Sequence, residues 1–449
     1  MKKALLIILF FIIPSCKKVH IEPEFHQLKK TTKNITGSEI IYDSRYDQNI
    51  EATIKDSFSK GLSRQKAVEI ALMNNPVLQS DFENLGIAKA DLIQAGLYTN
   101  PQTNNVFRFS TSGVPSQTNI ENALTGTVSD LWQIPFRKKI FEDELEITTL
   151  RILTTILDTV ENVKCAYDAC VNANLQLENE KIILFYTNEL KNEIYYRQLF
   201  GYSDDLDKYN IDAQLSSVKV NIAMLEEQQK RAYIHLKKVL GITPSSKLIL
   251  LTDTILADFS VPSLNELESY ALEYRPEIQI INYRMKRYEH TVRYEKSRIW
   301  KDVTIGPAYK QDFDRPFRGF GFAANFTIPI FDTNYAQIAK AEFEFEKARK
   351  DFRATKIDIQ EQLRNSYVSI DKIKKEIESY NNVIIPSYEK GIDYAYTYAH
   401  TLQLNMITAF QAQLNLFYAE KKLIEKYYDL HVAHERLERA YGRSLNPMH

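Results

Sequence analysis

Two long stretches of this chain contain neither glycine nor proline. One runs from Phe136 to Phe200, which is 65 residues, and the other from Ile330 to Ile385, which is 56 residues. Glycine and proline are scarce throughout, with 13 Gly and 14 Pro in 449 residues, about half their usual share. As a single helix the first stretch would be roughly 97 Å long at 1.5 Å per residue. The sequence therefore predicts a mainly α-helical protein built on very long helices.

The apolar residues of the first stretch have the spacing of a coiled coil. They step by three and four positions through Leu153, Leu157, Val160, Val163, Tyr167 and Cys170. Further helices are predicted at about 63–98, 204–240, 263–299 and 402–441. Gly241 and Gly442 follow two of these helices, where a glycine in the left-handed conformation commonly ends a helix.

The chain also repeats itself at a distance of about 200 residues. Ser63, Ala71, Leu72, Pro76 and Gln79 recur, at an offset of 200, as Ser263, Ala271, Leu272, Pro276 and Gln279. Ile134-Pro135 recurs as Ile328-Pro329. A repeat of this length indicates a duplicated domain. The predicted parts are a signal peptide (1–15), an N-terminal linker (16–61), a first repeat (62–241), a connector (242–262), a second repeat (263–443) and a tail (444–449).

Each repeat contains a segment with the two-residue period of a β-strand. In the second repeat, Phe320, Phe322, Ala324, Phe326, Ile328 and Ile330 alternate with small or polar residues. A segment from Val303 to Tyr309 is its predicted partner. The first repeat alternates in the same way over 105–110 and 124–134, although the charged Asp130 interrupts the row of apolar side chains. Each repeat is therefore predicted to contain a helix, a β-hairpin, a very long helix and a further helix.

The apolar strand faces predict strands that cross a membrane, with Phe320, Phe322, Phe326 and Ile328 facing lipid. Four strands cannot close a barrel, and open edges in lipid would leave backbone polar groups unsatisfied at a cost of several kcal/mol each. Three chains would supply twelve strands. The predicted fold is therefore a homotrimer, in which a twelve-stranded β-barrel continues into an α-helical coiled-coil barrel. A small soluble sheet packed on the helices is the alternative.

The N-terminus resembles a bacterial lipoprotein signal. Two lysines precede ten apolar residues, a run too short to cross a bilayer as a helix but typical of a secretory signal. The run ends at Pro14-Ser15-Cys16, which resembles a lipobox, so a covalent lipid on Cys16 is expected and no other cofactor. Lys17 follows Cys16, at the position where an aspartate would keep a lipoprotein from reaching the outer membrane. The absence of that aspartate favours the outer membrane as the location. An ordinary leader with an incidental cysteine is the alternative.

The opening motifs of both repeats resemble those of the TolC-like outer membrane efflux family. They read Ala71-Leu72-Met73-Asn74-Asn75-Pro76 and Ala271-Leu272-Glu273-Tyr274-Arg275-Pro276. The ending Leu437-Glu438-Arg439-Ala440-Tyr441-Gly442 resembles the heavy-metal branch. The resemblance covers about 62–443 and implies a trimeric exit duct for small molecules or metal ions. It also implies a periplasmic adaptor protein and an inner membrane pump as partners.

The same resemblance assigns roles to both helix tips. The turn Gly201-Tyr202-Ser203-Asp204 resembles the family's adaptor-docking tip, although these residues could also serve only to make the turn. Some family members narrow the periplasmic mouth with aspartates near the second tip. Residues 394–419 of this chain contain no Asp, Glu, Lys or Arg. The resemblance therefore suggests an uncharged gate formed by Tyr398, His400, Gln403 and Asn405. His400 would gain charge as the pH falls, unless it lies on the outer face of the tip.

Nothing in the sequence predicts an enzyme or a metal site. His431 and His434 share one helix and are expected on a solvated face, although Glu435 and Glu438 are near in sequence. Three scattered cysteines exclude a disulfide scaffold. A net charge of -1 gives no reason to expect a nucleic acid partner. The alternative function is a lipid-anchored periplasmic coiled-coil scaffold or adhesin without a pore.

Overall fold

A computed structural model describes residues 19–38, 61–109, 118–243, 250–254, 259–313, 317–400 and 406–445. The predicted signal peptide, Cys16, Gln403 and Asn405 lie outside the described residues, and so does the side chain of His400. Among the described helices, none combines the length and the apolar composition that a membrane-spanning helix needs.

The helices and strands follow the predicted order in both repeats. Helix α1 (Glu22–Thr36) precedes the first repeat, which contains α2 (Arg64–Asn74), α3 (Pro76–Ala95), β1 (Gln102–Phe109), β2 (Thr118–Thr127), α4 (Asp130–Leu199) and α5 (Asp205–Val239). The second repeat contains α6 (Leu264–Tyr274), α7 (Pro276–Ser297), β3 (Thr304–Asp312), β4 (Phe317–Asn325), α8 (Tyr335–Ser379), a π-helical segment (Tyr380–Ile384), α9 (Ile385–His400) and α10 (Met406–Tyr441). The prediction of a mainly helical chain with two β-hairpins is therefore confirmed.

Each opening helix is interrupted at its proline. Asn75 and Arg275 have extended backbones, with ψ of 117° and 134°, because a following proline disfavours the helical conformation. Pro76 and Pro276 then begin the next helix, where the missing N–H group has no intrahelical partner to lose. The single helices predicted at 63–98 and 263–299 are therefore two helices each.

The repeated residues make equivalent contacts in both repeats. The Gln79 side-chain amide donates a hydrogen bond to the carbonyl of Met73 at 2.9 Å, and Gln279 donates to the carbonyl of Glu273 at 2.5 Å. These bonds link the helices on either side of the proline. The duplication inferred from sequence is thus preserved in side-chain contacts.

The predicted glycine caps are present. Gly241 and Gly442 have φ of 73° and 84°, the left-handed region that glycine adopts without steric cost. A Cβ at Gly241 would lie 2.2 Å from the carbonyl oxygen of Asn74. This position therefore needs glycine both for its conformation and for the close approach of another backbone.

The four strands form one antiparallel sheet in the order β1-β2-β3-β4. Pairing of β2 with β3, with Asn122 opposite Tyr309, joins the hairpins of the two repeats. Strands β1 and β4 lie at the edges of the sheet. Strand β4 ends at Asn325, so the strand predicted to continue to Ile330 is too long.

The predicted strand through 124–134 is also too long, because α4 begins at Asp130. Asp130 is buried and accepts a hydrogen bond from the Thr99 backbone N–H at 2.6 Å. It lies at the start of a helix, where a negative charge is favourable. Ile134-Pro135 lies in α4 and Ile328-Pro329 lies in an irregular segment, so this repeated dipeptide has no common structure.

The structure divides into two compact units. The first contains the described residues of Met1–Gln27, Phe82–Leu150 and Ile280–Phe352, including the whole sheet. The second contains those of Leu28–Asp81, Arg151–Gln279 and Arg353–His449. Each unit draws on both sequence repeats.

Helices α4, α5 and α10 pack around an apolar core in the second unit. The predicted coiled-coil positions of α4 are buried there, and the core continues through Ile183, Leu190, Ile194, Ile211, Val218 and Leu414. Burial of each such side chain contributes about 1.5–3 kcal/mol. The continuous row of these contacts explains how α4 remains one helix over 70 residues.

The π-helical segment precedes a proline near the start of α9. Its wider turn closes with a bond from the Ile385 N–H to the Tyr380 carbonyl. Pro386 cannot donate a backbone hydrogen bond, and its ring would crowd the carbonyl four residues earlier in an ordinary α-helix. The wider turn allows the chain to remain helical through this position.

Candidate functional site

One face of the sheet is rich in aromatic and aliphatic side chains, although Asn105, Asn122 and Arg318 lie on it as well. Side chains alternate along a strand, so Phe320 and Phe322 of β4 share this face with their pairing partners Tyr309 and Pro307 of β3. The rings of Tyr309 and Phe320 are 5.1 Å apart. Phe320 and Phe322 are 88% and 86% exposed within the single chain. The other large apolar side chains of this face are those of Phe107, Phe109, Ile120, Leu124 and Ile305.

The opposite face of the sheet carries charges. Glu121 of β2 accepts from Arg108 of β1 at 2.8 Å and pairs with Lys310 of β3 at 2.7 Å. Asn325 lies on the same charged face by alternation along β4. A cavity of about 450 Å³ adjoins this part of the sheet, with Ala123 among its lining residues. These ion pairs were not predicted from the sequence, although the residues that form them occupy the polar positions of the alternating strand pattern.

Two of the four predicted lipid-facing residues lie outside the strand. Phe320 and Phe322 are in β4, whereas Phe326 and Ile328 follow its last residue. Both are exposed, at 57% and 62%. The assignment of all four to one strand is therefore wrong, and their contact with lipid stays a prediction.

The first helix tip is a glycine turn between α4 and α5. Gly201 has φ of 74°, and a Cβ placed there would meet nothing within 4 Å. Glycine is therefore favoured here by backbone conformation alone. The Asp204 side chain accepts a hydrogen bond from the Asp207 N–H at 2.9 Å and caps α5. Tyr202 is 74% exposed at the turn, so the predicted docking surface is accessible in the chain.

The second helix tip lies between α9 and α10. The rings of Tyr394 and Tyr398 are stacked at 4.2 Å with their planes 35° apart. His400 is the last residue of α9. Of the predicted gate residues, Tyr398 therefore stacks on a tyrosine of its own helix, and the gate itself stays a prediction.

A buried cluster of charged side chains lies in the second unit. The Arg64 guanidinium lies 2.8 Å from carboxylate oxygens of both Asp168 and Glu435. The Lys164 ammonium lies 2.9 Å from Glu435 and 2.6 Å from Glu438. These five residues, termed the charge cluster below, connect α2, α4 and α10.

Ion pairs within the charge cluster favour the charged forms of Glu435 and Lys164. Burial acts to raise the pKa of Glu435, but Lys164 and Arg64 outweigh it and hold the pKa well below the usual value. Burial likewise acts to lower the pKa of Lys164, whereas Glu435 and Glu438 raise it. The sequence did not predict this cluster.

His431 and His434 are buried, so the expectation of a solvated helix face is wrong. Their exposed fractions are 6% and 5%. The Phe259 ring lies 5.5 Å from the His431 ring and 3.9 Å from the His434 ring, measured between centroids. The connector between the repeats therefore covers this face of α10. Helical periodicity could not reveal a cover that comes from a distant part of the sequence.

The two cysteines of α4, Cys165 and Cys170, are free thiols. Cys170 is fully buried, and burial raises its thiol pKa to about 12. Cys165 is partly exposed.

Two solved structures with this arrangement of helices and strands are outer membrane channels. The CmeC outer membrane channel of Campylobacter jejuni matches with a TM-score of 0.72 and 15% identity, over 87% of this chain and 88% of CmeC. The open-state MtrE outer membrane channel of Neisseria gonorrhoeae matches with a TM-score of 0.69 and 15% identity, over 85% of this chain and 89% of MtrE. This chain has the fold of the TolC-like outer membrane channels. The resemblance seen in the sequence motifs is therefore confirmed.

Other comparisons agree with the TolC-like fold. The channel-forming protein CusC matches with a TM-score of 0.71 and 15% identity, over 86% of this chain and 93% of CusC. The cobalt-zinc-cadmium resistance protein CzcC of Cupriavidus metallidurans is 21% identical over 178 residues. That alignment spans 40% of this chain and 43% of CzcC, less than half of each. No family model matches the chain. The structural neighbours are TolC-like channels and not enzymes.

Proposed function

We propose that this protein is the outer membrane exit duct of a tripartite efflux system. The observation that carries the proposal is the four-stranded sheet, with exposed Phe320 and Phe322 on one face and the pairs of Glu121 with Arg108 and Lys310 on the other. An outward apolar face and a polar interior are the properties of transmembrane barrels.

The proposed assembly is a homotrimer. One chain contributes four strands and leaves β1 and β4 at the edges. Backbone groups at an edge in lipid would lack hydrogen bonds, so the strands of three chains would have to pair into a closed barrel of twelve. Exposed apolar residues on the long helices, among them Val220, Met224, Ile234, Phe343, Ile357 and Val368, support helix contacts between chains.

The proposed location is the outer membrane, with the helical part in the periplasm. The lipid proposed for Cys16 would assist the barrel as an anchor, because one acyl chain alone binds a membrane only marginally. The proposed partners are outer membrane lipid, a periplasmic adaptor protein that meets the turn at Gly201, and an inner membrane pump. Tyr398 and His400 belong to the proposed periplasmic gate.

The proposed cargo is a metal ion or another small molecule. The similarity to a protein named for cobalt, zinc and cadmium resistance supports metal ions. The channel itself would open and close but would select only weakly among ions. Rings of tyrosine, histidine and amide side chains discriminate less between ions than a carboxylate ring does.

Conductance of the purified full-length protein in planar lipid bilayers tests the proposed function. We expect discrete single-channel steps, and a trimer band on SDS gels that collapses to monomer on heating. A protein that is folded and helical but gives no steps at any membrane potential would contradict the channel and favour the scaffold or adhesin. Growth of a strain that lacks the gene, on zinc, cobalt or cadmium salts and on organic toxins, then separates the two classes of cargo.

A further inference from the structure

The segment between β4 and α8 is apolar and exposed. The alternation of β4 continues into it in sequence, with Phe326, Ile328 and Ile330 two positions apart. These three residues are 57%, 62% and 70% exposed within the single chain, and Phe331 is 98% exposed. Exposed patches of large apolar side chains mark interaction sites. Residues 326–331, termed the apolar loop below, are therefore expected to contact a partner.

The apolar loop is attached to the rest of the fold just beyond its end. Asn334 is buried and has φ of 65°. Its Nδ2 donates to the carbonyl oxygen and to a carboxylate oxygen of Glu295, near the end of α7, at 2.8 Å each. The Lys301 ammonium lies 2.9 Å from Asp332. Since these bonds fix the loop to the residues that precede β3, its exposure is a property of the folded chain.

Both tryptophans of the chain lie beside this attachment. Trp300 directly precedes Lys301 and is 49% exposed, and Trp132, in the first turn of α4, is 37% exposed. The Trp132 indole donates to the carbonyl of Ser297, the last residue of α7, at 3.3 Å. Tryptophan is enriched where a membrane meets water, because its ring is apolar and its N–H is polar. The two tryptophans therefore favour lipid as the partner.

Exposed lysines follow this surface along α4. Lys138 and Lys139 are exposed and lie within two turns of Trp132. The Lys138 ammonium lies 3.5 Å from Glu142. Lysine is favoured at membrane interfaces, where its apolar stem stays near the lipid tails and its ammonium reaches the charged headgroups. The change from apolar to basic residues along α4 thus matches the change from acyl chain to headgroup in a bilayer.

The backbone of the apolar loop is poorly suited to pairing with a strand of a second copy of this chain. Pro329 has no N–H group, and the Ile330 N–H donates to the carbonyl of Ile328 at 2.9 Å. Two consecutive donors that a strand would use are therefore missing or already bonded. Pairing between copies could extend β4 only to this point, so lipid is the partner that fits the apolar side chains here.

We propose that the apolar loop, Trp132 and Trp300 contact phospholipid at the periplasmic boundary of the outer membrane, where acyl chains meet headgroups. The proposal rests on the channel function proposed above and adds the surface at which the chain leaves the bilayer. The two repeats differ in this respect. Ile134-Pro135 lies within α4, whereas the equivalent dipeptide of the second repeat lies in the loop that contacts lipid.

Tryptophan fluorescence of the purified full-length protein in phosphatidylcholine vesicles tests this contact. Phospholipids that carry bromine near the headgroup end or near the methyl end of their acyl chains quench the tryptophans that they touch. Since the chain contains only Trp132 and Trp300, the wild-type signal comes from the proposed surface. We expect a loss of emission that is larger with bromine near the headgroups. Absence of quenching by either lipid overturns the proposal.

A single tryptophan in the apolar loop then locates the loop itself. In a background with Trp132→Phe and Trp300→Phe, bromine near the headgroups should quench Phe331→Trp most strongly. Bromine near the methyl ends should quench Phe322→Trp, on β4, most strongly. Phe343→Trp is the matched control, because Phe343 lies on α8 and is 76% exposed, and neither lipid should quench it. The wild-type measurement decides the proposal if the double replacement does not fold.

The two substituted positions separate this inference from the channel function. Quenching of Phe322→Trp without quenching of Phe331→Trp overturns the inference alone. Absence of quenching at both positions overturns the proposed channel as well. Emission from Phe331→Trp that is shifted to shorter wavelength but is not quenched would mean that a second copy covers the loop, which also contradicts the lipid contact.

Discussion

Arg275 donates a hydrogen bond from Nη1 to the carbonyl oxygen of Ala440 at 3.2 Å. In the first repeat, 200 positions earlier, Asn75 donates from Nδ2 to the carbonyl of Val239 at 3.0 Å. Both repeats therefore tie the residue before their proline to the end of their last helix. The guanidinium and the amide differ in charge and length, yet each satisfies a carbonyl at a helix end.

The two faces of the sheet give the first prediction. Phe322→Arg should prevent assembly of the trimer, because an arginine on a lipid face costs roughly 2–4 kcal/mol near mid-bilayer. Asn325→Arg is the matched control on the charged face, and it should assemble and change the conductance. The measurements are the heat-sensitive trimer band and single-channel conductance. Equal tolerance of arginine at both positions would show that the faces are assigned wrongly.

The first tip gives a prediction about transport. Tyr202→Ser and Gly201→Arg should leave a trimer that conducts in bilayers but no longer supports pump-dependent export. Gly201→Arg adds backbone strain of about 1–2 kcal/mol at its positive φ, whereas Tyr202→Ser adds none. Met224→Ser on α5 is the control for the loss of an exposed apolar side chain. Normal export in both tip variants would exclude this turn as the adaptor contact.

The second tip gives a prediction about the gate. Tyr398→Ala removes a ring stacked on Tyr394 and should raise the single-channel conductance, because aromatic rings close a pore by packing. His400→Ala should abolish any rise in conductance between about pH 7.5 and 5.5, the range in which histidine gains charge. Tyr388→Ala, on the same helix, is the control. Unchanged conductance in Tyr398→Ala would place the gate elsewhere.

The charge cluster gives a prediction about stability. Arg64→Met leaves Asp168 and Glu435 buried without their shared partner, and should lower the free energy of unfolding by about 3–5 kcal/mol. Arg231→Met breaks the exposed pair with Glu227 and should change it by less than about 1 kcal/mol. Denaturant unfolding followed by circular dichroism measures both. Similar losses in the two variants would mean that burial does not strengthen the Arg64 pairs.

The buried thiol gives a prediction about reactivity. Burial raises the pKa of Cys170 to about 12, so at pH 8 the native protein contains almost no thiolate, the form that reacts. In a Cys165→Ala background, maleimide should modify Cys170 only after unfolding, when its pKa returns to about 8.5. Ser217→Cys, at an exposed position of α5, should react at once in the native protein. Comparable native rates for the two thiols, read by mass spectrometry, would contradict the burial.

Much of the fold could be predicted because it depends on local signals. The absence of glycine and proline predicts α4, and the alternation around Phe320 predicts β4. The helix ends at Gly241 and Gly442 follow from the conformational freedom of glycine. Each of these signals is contained within a short window of sequence.

The residues that were misread depend on distant partners. Asp130 continues the strand alternation in sequence, yet its bond to the Thr99 N–H makes it the start of a helix. His431 and His434 look solvated by helical periodicity, but Phe259 covers them from the connector. The charge cluster joins Arg64, Lys164 and Glu435 across 371 positions of sequence. Contacts of this kind have no local pattern.

The two edge strands, β1 and β4, bear on the kinetics of folding. A helix can close its hydrogen bonds within one chain, so the rate of its formation is independent of protein concentration. If the sheet is completed only by strands of other chains, its closure is a step of higher reaction order. Dilution would then slow the pairing of strands between chains and leave helix formation within each chain unaffected. In a cell that makes few copies of the protein, chains with helices but an incomplete sheet would persist for longer.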